Sequence, residues 1–217
     1  MNLILQVQIM TGNQDWHKRT FLPDDILYKM SKQSAEQYAK TVGADYICLD
    51  NNKFLPTHPA PFQRFKMFEL DYDYILYLDS DTIVHSNCPN LFEMNINGLA
   101  AVPDYDWTKE KNQPILNRMA KKLKLQNHLP FCSGVLLTDR QWRNEHKSVA
   151  FELLQDPSLY DQDILNKIQD NTPYHQLSSE FGAWYKNGKY ITHYGSRARK
   201  VQFAKKYSNK NMNEYVD

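Results

Sequence analysis

Apolar residues dominate the first ten positions, MNLILQVQIM, with Gln6 and Gln8 interrupting them in strict alternation; period-two spacing of this kind predicts a β-strand. A turn-rich stretch follows at Thr11, Gly12 and Asn13. Asp24 can then cap a helix that carries Ile26, Leu27, Met30, Tyr38 and Val42 on one side and ends at Gly43. Ala44 to Leu49 is a short strand-like run, and Pro56, Pro59 and Pro61 break the chain before a predicted helix over Gln63 to Leu70. Next comes YILYLDSDTIV, Tyr74 to Val84, an apolar strand carrying Asp79 and Asp81. Gly98 to Val102 and Phe131 to Thr138 read as further strands, separated by a basic, helix-prone segment with Lys121, Lys122 and Lys124. A helix over Trp142 to Leu154, another starting at Asp161, and a last strand at Tyr190 to Tyr194 complete the pattern.

Strand, helix, strand, helix, strand is the rhythm of an α/β fold with a mostly parallel central sheet flanked by helices. In such sheets ligands bind beyond the carboxyl ends of the strands, which is where Asp79 and Asp81 fall. The chain contains no internal repeat, and its 217 residues fit one domain.

Composition narrows the partners. Apolar residues make up 41% and aromatics 13%, enough for a core, while 26 basic against 25 acidic side chains leave a net charge of only +1. Bulk electrostatics therefore predicts neither nucleic acid nor a membrane surface as partner. Cys48, Cys88 and Cys132 form no disulfide framework and no C-x-x-C zinc pair, so a reducing, cytoplasmic setting is expected. The N-terminal run lacks the basic start of a signal peptide, and no apolar run approaches the roughly 20 residues that span a bilayer.

Two carboxylates one residue apart at a dry strand end repel each other, and a divalent cation with oxygen ligands relieves that repulsion while leaving positions for phosphate oxygens. Asp79-Ser80-Asp81 thus points to a metal and a phosphorylated ligand. Two enzyme classes use D-x-D in this way. The Mg²⁺-dependent phosphatases of the haloacid-dehalogenase type carry D-x-D-x-T, matched here through Thr82, but on the first strand of their core. Here a strand-helix-strand unit precedes the motif, and the one Asp-Asp pair, Asp24-Asp25, lies upstream.

The second class is the GT-A glycosyltransferases, and the chain resembles their family 8, the glycogenin and bacterial galactosyltransferase-like group, at several places in order. YILYLDSDTIV resembles that group's signature strand, Phe131-Cys132-Ser133-Gly134-Val135-Leu136 its Asn-Ser-Gly strand, Asp161-Gln162-Asp163-Ile164-Leu165-Asn166 its D-Q-x-x-L-N helix start, and His193 with Gly195 its closing segment. Compact glycosyltransferase domains of large algal viruses are similarly lean, which would put the protein in a host cytoplasm.

The resemblance implies a single Rossmann-like GT-A domain over residues 1–217, with 1–103 binding nucleotide and 104–217 binding sugar and acceptor. It implies Mn²⁺ or Mg²⁺ on Asp79, Asp81 and His193, with a UDP-sugar donor and a glycan or other hydroxyl acceptor. Donor contacts would come from Thr11, Gly12, Arg64, Asp79, Ser80, Asp104 (or Asp106), Ser133, Gly134, Gly195 and Lys200. Asp161, Gln162 and Asp163 would serve the retaining transfer, either as a weak nucleophile or beside a front-side attack. Structural readings stand next to these: Arg64 as a surface arginine, His193 as a core histidine, Asp161 as a helix cap. Cys132 replaces the usual Asn, Gly195 follows His193 by two residues rather than three, and no Pro-Trp follows the lysine. In the polar tail from Arg197, either a solvated end or a fold-back of Arg197, Arg199 or Lys200 over an anion is expected. Trp107, Trp142, Trp184 and Tyr185 read mainly as core, with Trp184 and Tyr185 on the acceptor side. The phosphatase and a non-catalytic nucleotide-sugar-binding module remain the alternatives.

Overall fold

A computed structural model describes residues 1–9, 24–106, 109–126, 130–170, 173–196, 199–200 and 203. Its strands are β1 (Asn2–Val7), β2 (Asp45–Leu49), β3 (Tyr74–Asp79), β4 (Thr82–Val84), β5 (Leu99–Pro103), β6 (Phe131–Asp139), β7 (His175–Gln176) and β8 (Ile191–His193). The helices are α1 (Asp24–Val42), α2 (Gln113–Leu123), α3 (Arg140–Leu153) and α4 (Asp161–Ile168), joined by a long 3-10 helix over Ala60–Glu69. Gly43 follows α1 with φ +66°, a left-handed conformation that glycine adopts without strain and that stops the helix.

Six strands form the central sheet in the order β2-β1-β3-β6-β5-β7, and β4 pairs with β8 in a separate two-stranded ribbon. β1 runs parallel to β2 and β3, and β7 parallel to β5, while β6 runs antiparallel to both its neighbours. The sheet is mostly parallel, as expected, and the reversal of β6 brings its first residues to the edge where β1, β3 and β5 end. Between Ala101 and Val102 the β5–β6 register jumps from Leu136 to Cys132. Ser133, Gly134 and Val135 thereby bulge away from β5 at that edge.

Side chains alternate between two buried layers, one on each face of the sheet. Leu3, Leu5, Ile75, Tyr77 and Leu136 pack with the 3-10 helix, Trp142 of α3 and Ile164 and Leu165 of α4. Ile4, Leu76, Leu78, Val135 and Leu137 pack with Ala35, Tyr38 and Ala39 of α1 and with Ile191.

Three expectations change. The run Tyr74–Val84 is two strands, because the chain turns at Ser80-Asp81 and leaves the sheet for the ribbon. The segment read as an α-helix over Gln63 to Leu70 is a 3-10 helix beginning at Ala60. In that geometry residues three apart eclipse, and Phe62, Phe65 and Phe68 stack in file with ring centroids 6.2 and 6.0 Å apart. β7 carried no apolar signal, being a two-residue exposed strand. No helix among the described residues is long and apolar enough to cross a membrane.

Candidate functional site

Asp79 is the last residue of β3, and the turn after it is held from two sides. Thr82 Oγ1 donates to the Asp79 carbonyl at 2.7 Å, and the Tyr194 amide donates to the Asp81 carbonyl at 2.8 Å. The β4–β8 ribbon places Thr82 opposite His193. In consequence His193 Nε2 lies 3.2 Å from Asp81 Oδ1 and 3.6 Å from Asp79 Oδ2. The potential ligand atoms of Asp79, Asp81 and His193 all fall within 4.8 Å of one another.

Two glycines make that approach possible. A Cβ on Gly134 would stand 2.4 Å from His193 Cε1 and 2.9 Å from Asp79 Oδ2, and one on Gly195 would stand 2.8 Å from His193 Nε2. Any side chain at either position would displace the imidazole. Cys132 Sγ sits 3.7 Å from His193 Nδ1, so Nε2 is the nitrogen turned to the carboxylates. Two carboxylate oxygens and one imidazole nitrogen are a donor set that fits a divalent cation. Burial alone would raise the Asp81 pKa, but His193 and Lys200, whose Nζ lies 2.9 Å from Asp81 Oδ2, outweigh it and hold the carboxyl below its usual range. Burial likewise disfavours the His193 imidazolium, and Asp81 overrides it, keeping the ring protonated above its ordinary pKa.

The 3-10 helix supplies Arg64, which is buried rather than on the surface. Its Nη2 meets Asp79 Oδ1 at 2.8 Å and Asp161 Oδ2 at 3.0 Å, and its Nη1 donates to Ser133 Oγ at 2.7 Å and to the Ser133 carbonyl at 3.0 Å. The guanidinium lies 4.4 Å over the Tyr77 ring, and the Tyr77 hydroxyl donates to Asp79 Oδ1 at 2.7 Å. Tyr77 was missed in the sequence, although period-two spacing already puts it on the same strand face as Asp79. Burial works against the Arg64 charge, but Asp161, Tyr77 and Asp79 more than restore it, raising its pKa.

Across this arginine stand Asp161 and Gln162, the first residues of α4. Burial raises the Asp161 pKa, Arg64 opposes the shift and Asp79 adds to it. Gln162 Oε1 accepts from the Ser133 amide at 3.1 Å, and Gln162 Nε2 donates to Asp104 Oδ2 at 3.2 Å. Asp104 is only 6% exposed, and burial lifts its pKa to about 6 against the pull of Trp184 and Gln162.

Most of the residues singled out in the sequence therefore converge: Asp79, Asp81, His193, Gly134 and Gly195 around one centre, and Arg64, Ser133, Asp161, Gln162 and Asp104 in a polar wall beside it. Ser80 is the half-buried turn residue between the two carboxylates. Asp106, the alternative to Asp104, pairs instead with Lys109 at 3.2 Å. The Asp163 carboxylate is engaged at the start of α4, where it accepts from the Tyr160 amide at 3.2 Å and pairs with Lys122 at 3.3 Å. Arg199 does not reach an anion site; its guanidinium clamps the carbonyls of Ala183, Trp184 and Lys186. Lys200, next to it, reaches back to Asp81. Trp142 is core, with its indole N–H donating to Gln169 Oε1 at 2.7 Å. Thr11, Gly12, Trp107 and Arg197 lie outside the described residues.

A sequence model of the family described as Glycosyl transferase family 8 matches residues 14–211. No curated protein matches the sequence. Solved structures with a similar fold include a glycosyltransferase involved in glycosylation of the major capsid of the virus PBCV-1, 13% identical, with TM-score 0.59 over 94% of this chain and 98% of the other. The galactosyltransferase LgtC in complex with donor and acceptor sugar analogs is 16% identical, with TM-score 0.53 over 98% of both chains. The glycosyltransferase GlyE of Streptococcus pneumoniae is 18% identical, with TM-score 0.55 over 98% of this chain and 61% of the other. At these identities the likeness is one of fold, the GT-A architecture.

Proposed function

The chain belongs to glycosyl transferase family 8, and from that premise we propose that it transfers a sugar, with retention, from a UDP-sugar to a hydroxyl acceptor, with Mn²⁺ held by Asp79, Asp81 and His193. Membership in a glycosyltransferase family sets aside the phosphatase reading, whose motif belongs on a first strand rather than on β3. That LgtC was solved with donor and acceptor sugar analogs supports a two-substrate site.

The observation that carries the proposal is the Asp79–Asp81–His193 cluster, wedged between Gly134 and Gly195 and lying beside Arg64 and Asp161. A cation bound there supplies neutralisation of the charge that grows on a departing diphosphate. The chain's own residues divide the remaining work. Lys200, held over Asp81, is the protein cation placed to meet the phosphates. Arg64 bridges Asp79 and Asp161 and supplies the positive charge between them. Asp161 and the Gln162 amide present oxygen to the sugar ring, where positive charge develops as its C1–O bond breaks. The departing phosphate can accept the acceptor's proton, so no strong general base is required. Residues 1–103 then serve the nucleotide, with Thr11 and Gly12 at the uridine, and residues 104–217 serve sugar and acceptor.

Incubation with Mn²⁺ and a panel of UDP-sugars should release UDP slowly even without acceptor. Absence of both turnover and Mn²⁺-dependent UDP binding would refute the proposal. Asp81→Ala should weaken Mn²⁺-dependent UDP binding about a hundredfold or more, measured by calorimetry, since ligand loss costs at least as much as loss of a supporting group.

A further inference from the structure

Trp184 and Asp104 lie 80 positions apart in the chain and meet side on. The indole N–H donates to both the carbonyl and Oδ1 of Asp104, the latter at 2.9 Å. The indole ring stands edge-on to Tyr105, with centroids 5.0 Å apart. Its main-chain carbonyl is gripped by Arg199 Nη1 at 2.8 Å, together with those of Ala183 and Lys186. The ring is thus pinned by one attachment through its side chain and another through its backbone.

With Oδ1 engaged by Trp184, Oδ2 of Asp104 is left to accept from Gln162 Nε2. The other end of that amide accepts from the Ser133 backbone N–H, which can only donate. An ionised Asp104 can only accept, so a reversed Gln162 amide would lose both bonds. The orientation of Gln162 is therefore dictated by two groups, of which one depends on Trp184. Ser133 in turn takes the Arg64 Nη1 hydrogen bonds.

We infer that Trp184 is a positioning residue that acts through Asp104 to hold the Gln162 amide in the orientation the polar wall requires. Its kinetic consequence rests on the transfer reading above; its geometry does not. Removal of the indole N–H leaves Asp104 buried with Gln162 as its remaining side-chain donor among the described residues. Asp104 then protonates more readily, and a protonated carboxyl can donate to Gln162, which permits the amide to turn. The charged groups around it pull in both directions: His193 favours the carboxylate and Asp163 opposes it. The phenols of Tyr105, Tyr174 and Tyr185 face the same carboxylate, and each has its own pKa raised, first by burial and in part by Asp104.

The test uses the full chain labelled with ¹⁵N, the Trp184 indole resonance being assigned by its loss in Trp184→Phe. That resonance should titrate with a midpoint near pH 6, and it should cease to titrate in Asp104→Asn. In steady-state assays Trp184→Phe should lower kcat about tenfold with KM for the donor within about twofold, the signature of lost alignment rather than lost binding. The acid limb of its pH profile should move up by about one unit, and in the Asp104→Asn background Trp184→Phe should add nothing. An indole resonance unaffected by pH between 5 and 8, a Trp184→Phe enzyme with wild-type kcat, or full additivity with Asp104→Asn would each overturn the inference. If the wild type turns over no UDP-sugar, the transfer reading fails, and the indole titration alone decides the link between Trp184 and Asp104.

Discussion

Two arginines are buried at opposite ends of β6, and they do different things. Arg64 sits against Ser133, near the start of the strand, and its guanidinium is shared between two carboxylates, Asp79 and Asp161. Arg143 sits against Thr138, near the other end, and donates to the carbonyls of Thr138 and Tyr72. Burial works against the charge in both cases. Carboxylates restore it at Arg64, whose pKa is raised, whereas at Arg143 burial prevails and the pKa falls to about 10. A cation held by carbonyls ties chain segments together. A cation held by carboxylates also bridges them and balances their charge, which is why the first belongs to the fold and the second to the site.

The difference breaks down if the two positions respond alike to loss of the cation. Arg64→Met should reduce turnover about a hundredfold to a thousandfold, since Asp79 and Asp161 would lose their shared counter-charge and Ser133 its donor. UDP-release assays at saturating Mn²⁺ measure this directly, and a loss under tenfold would place Arg64 outside the chemistry. Arg143→Leu should leave turnover per folded molecule within about twofold. It should instead destabilise the chain by about 3 kcal/mol, because the Thr138 carbonyl and hydroxyl lose the guanidinium and the Tyr72 carbonyl is left with the longer bond from Arg140 Nε at 3.4 Å. Denaturant unfolding separates the two outcomes, and a stable but inactive Arg143→Leu protein would erase the distinction.

The sequence distinguishes these arginines only by resemblance. Arg64 was singled out because it precedes the D-x-D strand in a recognisable order, and the pattern gave no hint that it would be buried among two aspartates and a tyrosine. Arg143 drew no notice, since on an amphipathic helix a charged residue normally faces water. The strands that pack into the sheet were legible because burial on two faces leaves long apolar runs, as in β3 and β6. The break at Ser80-Asp81 was not, because a change of sheet preserves the apolar spacing on either side. The 3-10 helix was masked by apolar residues at Phe62, Phe65 and Phe68, a spacing that α-helices also use, though three aromatics strictly three apart are its better signature. In the site, residues on one strand or one turn could be paired in advance, as Asp79 was with Asp81. Contacts made by distant segments could be paired only through the resemblance, as His193 was with the aspartates; it carried no sign of Trp184 with Asp104, of Cys132 with His193, or of Arg199 with the loop it clamps rather than with a ligand.

The smallest effect that sharpens the contrast comes from lysine, which keeps the charge at either position but replaces a planar five-donor fork with a compact ammonium whose three donors share one nitrogen. At Arg64 the fork serves Ser133 through Nη1, and Asp79 and Asp161 through Nη2, and Nε donates to the Pro61 carbonyl at 3.1 Å. A single ammonium on a flexible stem cannot hold all four at once, and it does not lie flat over Tyr77 as the guanidinium does. Arg64→Lys should therefore recover part of the activity lost in Arg64→Met and remain about tenfold below wild type. At Arg143 the partners are oxygens that accept from any donor within reach, the carbonyls of Thr138 and Tyr72 and the Thr138 hydroxyl. Arg143→Lys should regain most of the stability that Arg143→Leu loses, to within about 1 kcal/mol of wild type. Turnover and denaturant unfolding of the two lysine variants, each compared with its Met or Leu counterpart, are the measurements. Equal rescue at both positions would mean that charge alone matters at Arg64 and that the bridging geometry between Asp79 and Asp161 does not.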